Sequence, residues 1–211
     1  MCSRSATIKK IHVIGDSHAI RFIDPSFKCY YLPGAIAYNM ISDSSNTQSR
    51  AKAFEVLKGL KKSDPIMFSF GGIDCQTHLY KHVTNIDTIH VVVKRCVYRY
   101  ISFIKEVQEK GYKNIIVFGP PATSPRWTEK EKTVVGTQIQ RNYAVLLFTE
   151  YLSEQCKKIK VPVISIFFYL IKDNFCSDDS FYEEGMVHVI PEYQVGLFRT
   201  ELRKNKLTKL L

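Results

Sequence analysis

Short apolar runs alternate with longer amphipathic stretches along this chain. Five runs rich in β-branched and aromatic residues predict strands at 10–14, 28–32, 66–70, 114–118 and 161–167. The stretches between and after them predict helices near 19–23, 47–61, 87–110, 137–158 and 192–206. Near-continuous apolar strands separated by helices are typical of a parallel sheet covered on both faces. The pattern therefore predicts an α/β fold, a three-layer α/β/α sandwich around a parallel sheet of about five strands.

The chain length and composition indicate a single domain over residues 1–211. Apolar residues make up 45% of the 211 residues and aromatic residues 12%, which is enough for a substantial core. No apolar run approaches the roughly 20 residues that span a bilayer, and the N-terminal residues lack the apolar segment of a signal peptide. Six scattered cysteines without metal-ligand spacing predict free thiols in a reducing compartment. We therefore expect a cytoplasmic protein without a membrane span.

The most informative segment is Gly15-Asp16-Ser17-His18, which directly follows the first predicted strand. The glycine permits a sharp turn, and the aspartate is a good cap for a helix that follows. A serine held near a helix N-terminus is well placed for a nucleophile, because unpaired N–H groups and the helix dipole would stabilise an oxyanion beside it. A residue that only satisfies backbone donors is the structural alternative for Ser17.

Further polar landmarks follow later strands. Pro33-Gly34-Ala35 follows the second predicted strand, and Gly71-Gly72-Ile73-Asp74 follows the third. In open α/β sheets the ligand crevice lies at the carboxyl ends of the strands, so these segments and Ser17 are predicted to meet there. A proline-rich loop at 119–125 follows the fourth strand, and Arg126 and Trp127 beyond it could contact a substrate, with packing as the alternative for Trp127.

In this order, and with His188 near the C-terminus, the landmarks resemble the SGNH or GDSL hydrolase superfamily. The resemblance implies an SGNH-hydrolase-like, flavodoxin-like fold. It further implies Ser17 as the nucleophile, Gly34 as an oxyanion donor and His188 as the general base. Gly15-Asp16-Ser17-His18 stands for the family's G-D-S-L, and Gly71 to Asp74 stands where the family has G-x-N-D.

Two positions depart from the family pattern. Ile73 replaces an asparagine that would donate to the oxyanion, so the oxyanion hole would rest on backbone N–H groups of Ser17 and Gly34, with Gly72 as a further donor. Gly185 stands where the family has the aspartate that orients the base. Glu184 is the carboxylate expected to orient His188 instead; without one, the site would be a Ser-His dyad.

Two aspartates are expected to support the site. Asp16 is predicted to be a helix cap or an orienting group, and Asp74 to help hold the site. Asp74 and His78 are four residues apart and are expected to form a structural pair, with metal binding as the less favoured alternative. No metal and no organic cofactor is required by the predicted chemistry.

The resemblance predicts a serine esterase or deacetylase that acts on small acyl esters, with O-acetylated carbohydrate as a candidate substrate and acyl transfer as an alternative to hydrolysis. A second hypothesis is a degenerate SGNH-like domain that binds a glycan or another partner without turnover. A third uses the formal charge of +10: basic clusters at 52–62, 94–113, 157–160 and 199–209 could attract nucleic acid or another polyanion, or form solvated helix faces. The sequence does not define the oligomeric state.

Overall fold

A computed structural model describes residues 10–84, 87–126 and 134–207. The strands are β1 (Ile11–Gly15), β2 (Phe27–Tyr31), β3 (Ile66–Ser69), β4 (Ile115–Phe118) and β5 (Val163–Ile164). The helices are α1 (Ser49–Lys58), α2 (Ile89–Glu109), α3 (Gln138–Lys158) and α4 (Pro191–Lys204). The five predicted strands and the four long helices are thus confirmed. Trp127 lies outside the described residues.

All five strands are parallel, in the order β2-β1-β3-β4-β5. This is the flavodoxin-like order, in which the chain reverses its direction of winding between β1 and β3. The registers pair Gly15 with Tyr31 on one side and with Ser69 on the other. The carboxyl ends of the three strands are therefore level at the point where such sheets bind ligands.

Aromatic contacts show that helices cover both faces of the sheet. Phe68 of β3 is in register with Val117 of β4 and contacts Phe103 of α2. Phe118, the next residue along β4, must point to the opposite face, where it contacts Phe198 of α4. The predicted three-layer α/β/α sandwich is therefore confirmed. Within the described part of the chain, no helix has both the length and the apolar character needed to cross a membrane.

Two predicted elements are shorter in the structure. The helix predicted at 19–23 is a single 3₁₀ turn, Ala19–Arg21, because Pro25 disfavours helical backbone at Asp24 and the chain turns there into β2. The strand predicted at 161–167 is reduced to Val163–Ile164, which pairs only with β4. Lys160 before it has a positive φ of 57°, and a 3₁₀ turn begins at Phe167.

Candidate active site

Ser17 lies two residues beyond the end of β1, between the chain segments that leave β2 and β3. Gly15 is required at the strand end because a Cβ there would overlap the carbonyl oxygen of Ser69. The Asp16 N–H donates to that same carbonyl oxygen at 3.0 Å, which fixes the backbone immediately before Ser17. The serine is half-buried at the rim of the predicted crevice.

The structure brings Ser17 and His188 together, although 171 residues separate them along the chain. The Ser17 Oγ and the His188 Nε2 are 2.8 Å apart, which is hydrogen-bond distance. His188 lies in a tight hairpin in which the Glu183 N–H donates to the His188 carbonyl oxygen at 3.2 Å. Gly185 at the tip of this hairpin has φ +69°, a backbone conformation that favours glycine over aspartate. The departure at Gly185 thus has a local backbone cause.

The other nitrogen of the His188 ring faces a cation. The Arg21 Nη2 is 3.1 Å from the His188 Nδ1, and the same guanidinium binds both carboxylate oxygens of Glu183, at 3.0 and 2.9 Å. A guanidinium has donors and no acceptor, so Nδ1 accepts this hydrogen bond. A neutral His188 in this arrangement therefore carries its hydrogen on Nε2 and donates it to Ser17.

The carboxylate expected at His188 is placed differently. Glu184 is exposed, and within the described residues it makes no hydrogen bond to His188. Glu183 is the carboxylate on this side of the ring, and it acts through Arg21. The prediction of Glu184 as the orienting group therefore has no support in the geometry, because the hairpin turns the neighbouring residue toward Arg21.

Burial and two neighbouring groups lower the pKa of His188. Desolvation is the largest cause, followed by His18 and Arg21, while the carboxylate of Asp16 opposes them; the resulting pKa is about 4. His188 is therefore neutral at physiological pH and is a weak base. General bases act best with a pKa near the working pH, so this arrangement is not tuned for proton abstraction.

Asp16 orients a different histidine from the one beside Ser17. Its Oδ1 accepts hydrogen bonds from the His18 N–H and the His18 Nδ1, both at 2.9 Å. The capping by Asp16 is therefore limited to a local turn at His18. Only one 3₁₀ turn follows Ser17, and it has too few aligned peptide dipoles to produce the helix dipole that the sequence predicts there. That dipole therefore contributes little to stabilising an oxyanion at Ser17.

The His18 ring fills the space beside Gly72. A Cβ on Gly72 would lie 2.5 Å from two atoms of that ring, so only glycine fits without movement. The rings of His18 and His188 meet edge to face, with centroids 5.3 Å apart. Ser17 thus contacts His188 directly, whereas Asp16 and Gly72 are connected to His188 through the His18 ring.

The two glycines predicted as oxyanion donors differ in exposure. Gly34 is exposed with φ +66°, and Gly72 is buried. Each lies three residues beyond the end of its strand, β2 or β3, and these strands flank the one that leads to Ser17. The topology is consistent with an oxyanion hole at Ser17, Gly34 and Gly72, and that hole remains a prediction.

Asp74 stabilises the chain segment that follows Gly34. Its buried carboxylate accepts from the N–H groups of Ala37 at 2.7 Å and Tyr38 at 3.1 Å, and from the Cys96 thiol at 3.3 Å. Desolvation raises its pKa to about 6, although the two backbone hydrogen bonds oppose the shift. Asp74 therefore fixes the chain that follows Gly34, and it does not pair with His78 in the contacts of the described residues.

The remaining predictions concern metals, thiols and basic surfaces. In residues 10–84, 87–126 and 134–207, no cluster of three or more metal-ligating side chains occurs. The five cysteines of those ranges are unpaired. Several basic side chains are ion-paired, among them Arg50 with Glu106 and Lys158 with Glu154. The basic faces are therefore partly neutralised by neighbouring carboxylates.

Sequence comparison gives no relatives: no family model matches the chain, and no curated protein matches it. Solved structures do match. A GDSL-like lipase from Bacteroides thetaiotaomicron has 13% identity and a TM-score of 0.61, over 96% of this chain and 89% of its own. A carbohydrate acetylesterase from Sinorhizobium meliloti has 14% identity and a TM-score of 0.54, over 96% of this chain and 100% of its own.

An aryl esterase from M. smegmatis gives the same values of 14% identity, a TM-score of 0.54 and coverage of 96% and 100%. These likenesses extend over almost the whole chain, and they show that it has the α/β fold seen in GDSL-like and SGNH-like esterases. The fold agrees with the one that the sequence resemblance implies. At such identities the likeness shows the fold, while the chemistry depends on the residues of the site.

Proposed function

We propose that the protein is a serine ester hydrolase of the SGNH type, with Ser17 as the nucleophile and His188 as the general base. The observation that carries this proposal is the 2.8 Å contact between the Ser17 Oγ and the His188 Nε2. It lies at the carboxyl ends of the strands, beside the β1/β3 switch point. The likeness in fold to esterases and lipases supports the same class.

The reaction proceeds through an acyl-enzyme. The Ser17 Oγ attacks the ester carbonyl carbon while its proton passes to the His188 Nε2, and the carbonyl π electrons move onto the oxygen. His188 then returns the proton to the leaving alcohol as the C–O bond breaks. Water repeats the sequence on the acyl-enzyme and releases the acid. An acceptor hydroxyl in place of water would give acyl transfer.

The oxyanion is held by backbone N–H groups of Ser17, Gly34 and Gly72 in this proposal. Ile73 has no side-chain donor, so the hole has one donor fewer than the related enzymes that the sequence resembles. Loss of one such donor costs on the order of a hundredfold in rate. We therefore expect slow turnover on unactivated esters. The chemistry uses no metal or organic cofactor.

Small acyl esters are the proposed substrates, with O-acetyl groups on carbohydrate as the first class to try. The acetylesterase from Sinorhizobium meliloti among the structural neighbours supports this choice. The missing side-chain donor at Ile73 favours esters with a good leaving group in an initial assay, because they need less stabilisation of the oxyanion.

A specific observation favours a second candidate, a domain that binds an ester or glycan without turnover. The Arg21 contact leaves the hydrogen of a neutral His188 on Nε2, and a ring nitrogen that already carries a hydrogen does not accept another from Ser17. If this arrangement persists with substrate bound, the site binds and does not react.

Hydrolysis of 4-nitrophenyl acetate by the wild type, Ser17→Ala and His188→Ala separates the two candidates. The hydrolase predicts that wild-type turnover is lost in both variants. Ser102→Ala is the matched control, because it removes the same hydroxyl from the exposed face of α2, where Ser102 donates to the Tyr98 carbonyl oxygen. It should retain wild-type activity.

Thermal unfolding of all four proteins shows whether each variant remains folded. Equal rates in the wild type and the folded Ser17→Ala variant, on this ester and on acetylated sugars, would overturn the hydrolase and favour the binding domain.

A further inference from the structure

A single cation lies between the proposed base and the carboxylate of Glu183. The Arg21 Nη2 is 3.1 Å from the His188 Nδ1 and 2.9 Å from the Glu183 Oε2, while Nη1 is 3.0 Å from the Glu183 Oε1. The Arg21 side chain is 11% exposed. Arg21 thus occupies the place at Nδ1 where an orienting acceptor would lie in a serine hydrolase.

This contact determines which atom of His188 carries the hydrogen. Nδ1 accepts from Arg21, so Nε2 donates to the Ser17 Oγ and has no free electron pair in the ring plane. Ser17 and His188 are therefore in contact, but in this resting state the tautomer of His188 cannot accept the serine proton.

We propose, on the basis of the hydrolase function above, that Arg21 is a specificity-determining residue that holds His188 at rest until an anionic group of the ester substrate draws its guanidinium from Nδ1. The substrate class is therefore an ester with a carboxylate or a comparable anion close to the scissile bond. A neutral ester leaves Arg21 in place and reacts slowly.

The surroundings of Arg21 suit an anion. Its planar fork matches carboxylate oxygens in a bidentate way, and its buried Nε has no hydrogen-bond partner among the residues that the structure describes. Arg21 follows Ser17 by four residues through one 3₁₀ turn, so an anion bound to it lies beside an ester at Ser17. The formal charge of +10 attracts anionic molecules over longer distances.

Release of Arg21 also frees Glu183. The Glu183 N–H donates to the His188 carbonyl oxygen at 3.2 Å, so this residue stays beside the ring when its ion pair is broken. Its carboxylate can then accept a hydrogen bond from Nδ1–H. Solvent water carries the exchange: one water molecule takes the proton from Nε2 and another gives a proton to Nδ1, so the ring stays neutral. Nε2 can then take the Ser17 proton as the Oγ–carbon bond forms.

Matched esters test the substrate class. We would compare 4-acetoxybenzoate with its methyl ester, and mono-4-nitrophenyl adipate with its methyl ester, which place the anion in the alcohol half and in the acyl half. The wild type should prefer the anion in at least one pair, by about tenfold or more in kcat/KM, since the loss or gain of one bidentate charged contact is worth that much.

Arg21→Met should abolish this preference and raise kcat/KM on the neutral esters, about threefold or more. Arg199→Met is the matched control, because Arg199 is also ion-paired with a carboxylate, that of Asp24 at 2.9 Å, and makes no hydrogen bond to His188 among the described residues. It should leave the preference unchanged. Equal rates on both members of both pairs, or a neutral-ester rate that falls in a folded Arg21→Met variant, would overturn the proposal.

The tautomer of His188 gives a readout that does not depend on turnover. Two-bond ¹⁵N–¹H correlation spectra of the wild type should show the Nε2–H form, and titration with 4-hydroxybenzoate should convert it to the Nδ1–H form. Methyl 4-hydroxybenzoate should leave it unchanged. An Nδ1–H form in the free wild type, or no response to the anion, would overturn the role of Arg21.

These spectra use the wild-type protein, so they remain decisive if Arg21→Met does not fold. If no protein hydrolyses any ester, the proposed hydrolase fails. The spectra alone then decide whether Arg21 sets the tautomer and binds the anion.

Discussion

The site contains two histidines with opposite surroundings. His18 has a carboxylate at its Nδ1, from Asp16 at 2.9 Å, and makes no hydrogen bond to Ser17 in the described contacts. His188 contacts Ser17 through Nε2 and has the guanidinium of Arg21 at its Nδ1. The two rings are only 5.3 Å apart between centroids.

The difference separates two properties that a catalytic base needs together. His18 has the partner that leaves Nε2 free to accept a proton, because its Nδ1 hydrogen points at a carboxylate. His188 contacts the Ser17 hydroxyl but has a guanidinium instead of a carboxylate at its Nδ1. Contact with the nucleophile therefore does not by itself make an active base, because the group at the far nitrogen of the ring determines whether Nε2 can accept a proton.

The largest expected effect distinguishes the two histidines directly. His188→Ala should lower kcat/KM by about a thousandfold, within the range expected for general-base loss, because Ser17 loses its proposed proton acceptor. His18→Ala should lower it by about threefold, since His18 only lines the site. The measurement is ester hydrolysis by both purified variants. A larger loss in His18→Ala than in His188→Ala would assign the base to His18.

The next effect concerns the packing of His18. Gly72→Ala places a Cβ 2.5 Å from the His18 ring, so the ring or the backbone must shift, at a cost of about 2 kcal/mol in the free energy of unfolding. Urea denaturation measures this cost. Adding His18→Ala should remove most of it, because the clash is gone. An equal cost in both backgrounds would mean that the strain lies elsewhere.

The protonation of His188 should make kcat/KM depend on pH. His188 must be neutral to act, and its pKa is lowered to about 4 by burial, with His18 and Arg21 adding and Asp16 opposing. The value of kcat/KM should therefore be level above about pH 5. It should fall about tenfold per pH unit below pH 4, as His188 becomes protonated. A fall that already begins near pH 6.5 would contradict this environment.

The smallest expected effect comes from Asp16→Asn. The amide oxygen can still accept from His18, while the negative charge is lost and an NH2 group replaces the buried Oδ2. Because that charge raises the pKa of His188, its removal should shift the acid limb of the pH profile to lower pH, with a change of about twofold in kcat/KM above it. The pH–rate profile of the variant measures both. A shift to higher pH would contradict the sign of this interaction.

Local patterns were sufficient to predict the fold because each strand and each long helix has its own signal. The apolar runs at β1, β3 and β4 are buried at every or almost every position, as parallel strands require. The pattern predicts a helix after Ser17, and the structure has a single 3₁₀ turn there because Pro25 disfavours helical backbone at Asp24. The strand predicted at 161–167 is shorter in the structure, because an edge strand pairs with one neighbour and has fewer inter-strand hydrogen bonds than a central strand.

The chemistry at the far side of His188 was not visible in the sequence. Arg21 and Glu183 are 162 residues apart, and neither belongs to a recognised motif. Gly185 is one signal in the sequence, because a glycine within a short segment between two apolar residues, Tyr182 and Val189, indicates a hairpin, and successive side chains of a hairpin strand point to opposite sides. Glu183 and Glu184 therefore lie on opposite sides of the hairpin, and Glu184 is exposed.

Covalent labelling of Ser17 by a fluorophosphonate, followed by intact mass and peptide mapping, tests the central claim most directly. The wild type should gain one adduct at Ser17, Arg21→Met should gain it faster, and Ser17→Ala should gain none. Absence of an adduct in both the wild type and a folded Arg21→Met variant would contradict the assignment of Ser17 as a nucleophile.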